Sequence, residues 1–142
     1  KFNEEVEILL STTQNKTEKL EKVVTANEII NLQTAVRDIH TPQSVAEYAV
    51  RLASSTRPHT ANAPELVNKY LRWGAGPRAS QYLALAGKVY AGMDGRFNVA
   101  IEDIKRSAMP VMSHRIILNY QAEADMRTPE NIIEELLECA KP

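Results

Sequence analysis

The feature that most constrains this chain is a helix-start signal, repeated along it and followed each time by apolar residues at helical spacing. The strictest case follows Thr41-Pro42. There Val45, Tyr48, Ala49, Leu52 and Ala53 form an i, i+3, i+4, i+7, i+8 stripe, a pattern that buries one helical face and leaves the other in water. Thr25-Ala26-Asn27-Glu28 is a capping box ahead of Ile29, Leu32, Val36 and Ile39. Two amphipathic helices are therefore expected over about residues 25 to 56, packed against each other. Thr128-Pro129-Glu130 opens a last helix that carries Ile132, Ile133, Leu136, Leu137 and Ala140. These patterns predict an all-α helical bundle.

The remaining segments fit the same scheme. Asn3 caps a short helix with Val6, Leu9 and Leu10, and Ser11 to Lys22 is a polar loop in which Leu20 is the sole large apolar residue. Residues 1–24 thus read as an N-terminal helix and loop, and 25–142 as the helical domain. Ser54 to Ala63 reads as an exposed loop. Asn62 to Pro64 restarts a short helix with Leu66, Val67, Tyr70 and Leu71 that ends near Trp73 and Gly74. From Pro77 a long central helix places Tyr82, Leu85, Ala86 and Val89 on one stripe, with Ala79, Leu83 and Tyr90 beside it, and Gly92, Asp94 and Gly95 end it. Ile101, Ile104, Ala108 and Val111 define the next helix, whose last turn Pro110 should tighten. Residues 97–99 and 116–118 are candidates for a tiny two-stranded β ribbon.

Composition narrows the function. At 142 residues, 44% hydrophobic and 25% charged, the chain is one globular domain in size and make-up. A net charge of −1 argues against nucleic acid as a partner. Lys105, Arg106, His114 and Arg115 offer a local basic cluster for a helix-turn-helix, but Glu102-Asp103 beside them counts against it. Cys139 is the only cysteine, which leaves no internal disulfide and fits a reducing cytoplasm; its place among apolar residues predicts a buried, inert thiol. No apolar run approaches the roughly 18 residues a membrane span needs, so no membrane insertion is expected. The chain opens on Lys1 rather than Met, as expected of a piece of a longer protein or a processed precursor.

Little here can perform catalysis. His40, His59 and His114 lack metal-ligand spacing, so no metal site and no catalytic residue is assigned. Both GxxxxGK[ST] and GxGxxG are absent. The exception is Trp73-Gly74-Ala75-Gly76-Pro77-Arg78-Ala79-Ser80. Pro77 suits the first helical position, which puts Arg78 in the first turn, where the helix dipole disfavours a cation by about 0.3 to 1 kcal/mol. Two readings follow. Arg78 reaches back to a carboxylate or to water, or it serves with the exposed amides and the turn of Gly74 and Gly76 as a phosphate site.

The order of motifs resembles the C-terminal lid of MoxR-family AAA+ ATPases. That lid carries a GASPRA turn, then a glycine and arginine followed by an aromatic, a valine and an acidic pair, and then a Leu-x-His-Arg segment. Here they stand as Gly74-Ala75-Gly76-Pro77-Arg78-Ala79, as Gly95-Arg96-Phe97-Asn98-Val99 with Glu102-Asp103, and as Val111-Met112-Ser113-His114-Arg115-Ile116. Glu4-Glu5 with Ile8-Leu9, and the Ala49 to Arg57 segment with its Thr-Arg end, match more loosely. The resemblance implies that Arg78 is the sensor 2 residue touching ATP phosphates, with Gly74, Gly76 and Pro77 as its supporting turn and Arg57 as a secondary polar contact. It also implies a parent that hydrolyses ATP with Mg²⁺ through Walker motifs absent from this chain. That parent would form a ring, a hexamer, and remodel or mature a client protein in the cytoplasm. Two departures stand out: Gly76 replaces the usual serine, and Ala100 replaces a capping residue. The alternative is a stand-alone helical interaction or adaptor domain holding a partner peptide in an apolar groove. His114 and Arg115 either pin the ribbon beside Phe97 or face a neighbouring subunit. Tyr82, Met93 and Met112 are expected to pack in the core or its loops.

Overall fold

A computed structural model of the chain describes residues 1–15, 21–61 and 63–140. The expectations placed on Leu20 and Asn62 lie outside the described residues. The chain divides into two compact units, Lys1–Ile30 and Asn31–Pro142.

The first unit holds α1 (Phe2–Thr12) and the start of α2 (Ala26–Asp38). α1 begins two residues earlier than a cap at Asn3 implies, with Glu4 and Glu5 in a first turn where they complement the dipole. The α2 capping box forms as read: the Glu28 amide donates to Thr25 Oγ1 at 3.2 Å, and the Thr25 amide donates to Glu28 Oε2 at 2.7 Å. The hydrogen bonds from Thr25 hold the Glu28 carboxyl below its ordinary range.

The second unit carries the core. α3 (Gln43–Ser55) buries Val45, Tyr48, Ala49, Leu52 and Ala53, the stripe read from sequence. α4 (Glu65–Tyr70), α5 (Pro77–Met93) and α6 (Ile101–Met112) follow, with α3 and α6 both packed on α5. Beyond Pro110 the α6 helix runs only to Met112 before tightening into a 3-10 turn, Ser113–Arg115. α7 (Tyr120–Ala124), which the sequence reading did not foresee, is capped by Asn119, whose Oδ1 accepts from the Ala122 amide at 3.1 Å. α8 (Pro129–Cys139) starts on the Thr128 cap and buries Ile132, Ile133 and Leu136 against the core.

Several expectations are corrected. No residue of α2 is buried, and within the second unit Leu32 and Val36 do not join the core as expected; Ile39, just past the helix end, does reach it. α5 buries Ala79, Leu83, Gly87 and Ala91, leaving Tyr82 and Val89 exposed. The cause is close packing: a Cβ on Gly87 would stand 2.9 Å from Val99 Cγ1, so the face turned to the rest of the bundle must be lined with small residues. Met112 is core, whereas Met93 is exposed. Cys139 is exposed as well, because α8 turns that position outward.

The ribbon exists with a different partner. β1 (Leu71–Trp73) pairs antiparallel with β2 (Ile117–Leu118), Leu71 opposite Leu118 and Trp73 opposite Ile117, with an irregularity between. Residues 71–73 are therefore strand, not the end of α4. The Phe97–Val99 segment cannot join because its backbone is engaged elsewhere. The His40 amide donates to the Phe97 carbonyl and the Val99 amide donates to the His40 carbonyl, each at 3.0 Å.

Candidate functional site

The turn between β1 and α5 is held from behind by the end of α3. The Ala75 amide donates to Thr56 Oγ1 at 2.8 Å, and Arg57 Nε donates to the Ala75 carbonyl at 2.9 Å. Both backbone polar groups of Ala75 are thereby satisfied by adjacent side chains from a residue pair far back in sequence. Thr56 is itself fully buried and donates its hydroxyl proton to the Ala53 carbonyl at 2.7 Å. Gly74 lies so close to this helix end that a Cβ would stand 2.2 Å from the Thr56 carbonyl oxygen. Only glycine admits that approach. At Gly76 nothing lies within 4 Å of a notional Cβ, and the backbone, φ −75° and ψ 178°, suits any residue. Its cost is local: no side chain caps α5.

Pro77 opens α5 at its first position. Arg78 follows in the first turn and is exposed, and it makes no hydrogen bond or ion pair among the described residues. The reading in which it reaches back to a carboxylate is thus not met. On the other side of the turn, Trp73 stands 61% exposed on β1. Arg57, expected as a secondary polar contact, is found at the turn with its Nε committed to backbone. Thr56 escaped that reading. Its position at a helix end was visible, yet its acceptor role depends on a residue 19 positions on.

The other end of α5 is fixed by a denser network. Arg96 reaches Asp103 with both terminal nitrogens, at 2.8 and 2.6 Å, and also reaches Asp94 at 3.0 Å and the Asn98 carbonyl at 3.3 Å. Asp103, whose side chain is 4% exposed, accepts from the Ala100 amide at 2.8 Å, which is the acid's half of a capping box; the other half, a hydroxyl at position 100 accepting from the Asp103 amide, is missing with Ala100 there. The Arg96 hydrogen bonds hold the Asp103 carboxyl below its ordinary range, against burial, which acts in the opposite direction. Beside this network a groove of about 1010 Å³ is lined by Leu32, Val36, Ile39, Val89, Met93 and Phe97 among others. Met93 is 72% and Phe97 85% exposed.

Arg106 and Arg115 are engaged within the fold. Arg106 lies over the Tyr90 ring at 4.1 Å. Arg115 donates to the Val111 carbonyl, contacts His114 Nε2 and covers Tyr82 at 5.0 Å, so these residues brace the α6 end rather than the Phe97 segment. Among the described residues no group of His, Cys, Asp and Glu is placed to hold a metal, and no helix is long and apolar enough to cross a membrane.

The AAA lid domain family matches residues 63–136, just over half of the chain and inclusive of the turn, α5 and α6. The chain belongs to the AAA lid domain family. The lid is 30% identical over 141 residues to "Uncharacterized protein YeaC" of Bacillus subtilis, covering 99% of the chain and 41% of that protein. It is 27% identical over 117 residues to "Chaperone MoxR1" of Mycobacterium tuberculosis, covering 82% of the chain and 31% of that protein. Among solved structures, the crystal structure titled "putative ATPase" from Cytophaga hutchinsonii superposes with a TM-score of 0.80 at 30% identity, over 97% of the chain and 42% of that protein. Over most of its own length, then, the lid is similar to a protein named as a MoxR chaperone and to one titled as a putative ATPase. The lid spans less than half the length of each.

Proposed function

We propose that the lid lends Arg78 to the phosphates of ATP bound by the nucleotide-binding core of its parent, in the manner of a sensor 2 arginine. The observation that carries this reading is an exposed, unpartnered guanidinium on a turn whose backbone is fixed by Thr56 and Arg57. A cation in the first turn of a helix is disfavoured by the dipole, and an anion beside it removes that penalty. A planar fork of N–H donors matches phosphate oxygens, and a fixed cation stabilises charge that builds up during phosphoryl transfer. Gly74, Gly76 and Pro77 shape the turn, and Arg57 supplies a second polar contact. ATP and Mg²⁺ belong to the parent's Walker site. The lid's own share is electrostatic and positional.

In this reading residues 1–24 lead from the core into the lid formed by 25–142. The parent is a cytoplasmic ring, a hexamer, that couples ATP hydrolysis to the remodelling or maturation of a client protein, without nucleic acid as a partner. The chaperone name of the mycobacterial relative supports the client role. The adaptor reading has the groove at the far end of α5 in its favour. The residues encoded ahead of Lys1 separate the two: a GxxxxGK[ST] loop with a downstream acidic Walker B strand supports the ATPase lid, and an unrelated domain there contradicts it. In the full-length protein, Arg78→Ala is expected to lower steady-state ATP turnover at least about tenfold, equivalent to about 1.4 kcal/mol. Parental turnover in a folded variant rules the sensor role out.

A further inference from the structure

We infer that Thr56, with Arg57, is a positioning residue for the phosphate contact: the end of α3 sets where Arg78 points by gripping Ala75. The inference rests on the sensor reading of Arg78. Three observations converge on it. Thr56 is fully buried, yet its hydroxyl is not merely satisfied within its own helix, because it accepts from Ala75 while donating to Ala53. Arg57 takes the Ala75 carbonyl from the adjacent position. Gly74 gives up its Cβ so that the turn can lie against the Thr56 carbonyl. The Ala79 amide closes the first turn of α5 on the Gly76 carbonyl at 2.9 Å, so only Gly76 and Pro77 separate the gripped residue from Arg78. With no side chain capping α5, this grip takes the place of a cap in fixing where the helix begins. A catalytic cation displaced by about 1 Å loses much of its effect, so a clamp on the turn acts on rate without touching the nucleotide.

Thr56→Val keeps the shape of the side chain and deletes the acceptor for the Ala75 amide. In the full-length ATPase it is expected to lower ATP turnover at least about fivefold, and Thr56→Ser is expected to restore turnover to within about twofold of the parent. The decisive arm is the double variant Thr56→Val with Arg78→Ala. If Thr56 acts through Arg78, the double variant turns over no more slowly than Arg78→Ala alone, within about twofold. Arg57→Lys serves where Thr56→Val does not fold: it keeps the charge but loses the Nε donor to Ala75, and a drop in turnover comparable to that of Thr56→Val is expected. Parental turnover in Arg57→Lys overturns the clamp. A double variant slower than Arg78→Ala by the full Thr56→Val factor also overturns it while leaving the sensor reading intact. Parental turnover in Arg78→Ala overturns both.

Discussion

The two ends of α5 are each anchored by an arginine, and they differ in what the anchor leaves over. At the C-terminal end Arg96 is saturated by Asp103, Asp94 and the Asn98 carbonyl, and what remains at the surface is apolar, Met93 and Phe97. At the N-terminal end Arg57 anchors the turn through a single bond to backbone, and what remains is Arg78, a cation with no partner among the described residues. Counting partners separates the arginines that hold the fold from those left exposed, and of these Arg78 stands in the first turn of α5 while Arg72 stands on β1 beside the same turn. By that measure Arg96, Arg106 and Arg115 are structural, although all three lie in or beside the stretches that first suggested the family.

The largest effect expected from disturbing this contrast is at Gly74. Gly74→Ala forces a Cβ into the Thr56 carbonyl and should destabilise the lid by about 3 kcal/mol, read as a lower urea midpoint with an unchanged denaturant slope. Next is the opposite anchor. Asp103→Asn removes the charge from the Arg96 hydrogen bonds and should cost about 2 kcal/mol at neutral pH. Because the folded Asp103 carboxyl titrates below its unfolded value of about 4, its contribution is present above that pH and lost as the pH falls through the folded value. The parent lid should therefore lose stability between about pH 5 and the acid limit more steeply than Asp103→Asn, in denaturation series across pH. The smallest effect is at Gly76, where Gly76→Ser supplies the missing cap at a position with open space and should raise stability by a few tenths of a kcal/mol. A gain at Gly76 beside a large loss at Gly74 would show that the two glycines of one turn serve different ends.

Much of the fold was legible because its signals are local. The α3 stripe and the Thr128-Pro129 start of α8 need nothing beyond spacing and capping, and both are seen as read. The buried face of α5 is not legible from large apolar residues, because the helix sits so tightly in the bundle that Ala79, Gly87 and Ala91 line the buried side with Leu83. The ribbon partner was misassigned because strands of two or three residues are chosen by which backbone groups are free, and those of Phe97 and Val99 are occupied by His40. At the site, Arg78 was legible from the dipole argument and from the resemblance. The bonds of Thr56 and Arg57 to Ala75 join residues 18 and 19 positions apart through tertiary packing, so no local spacing could show them.

The central claim is tested most directly by single-turnover hydrolysis of ATP in the full-length protein, with enzyme in excess, comparing the parent with Arg78→Ala and Arg78→Lys. The account predicts that Arg78→Ala slows the hydrolytic step at least about tenfold and that lysine, which keeps the charge without the planar fork, recovers only part of it. A folded Arg78→Ala protein that hydrolyses its bound ATP at the parental rate would contradict the account.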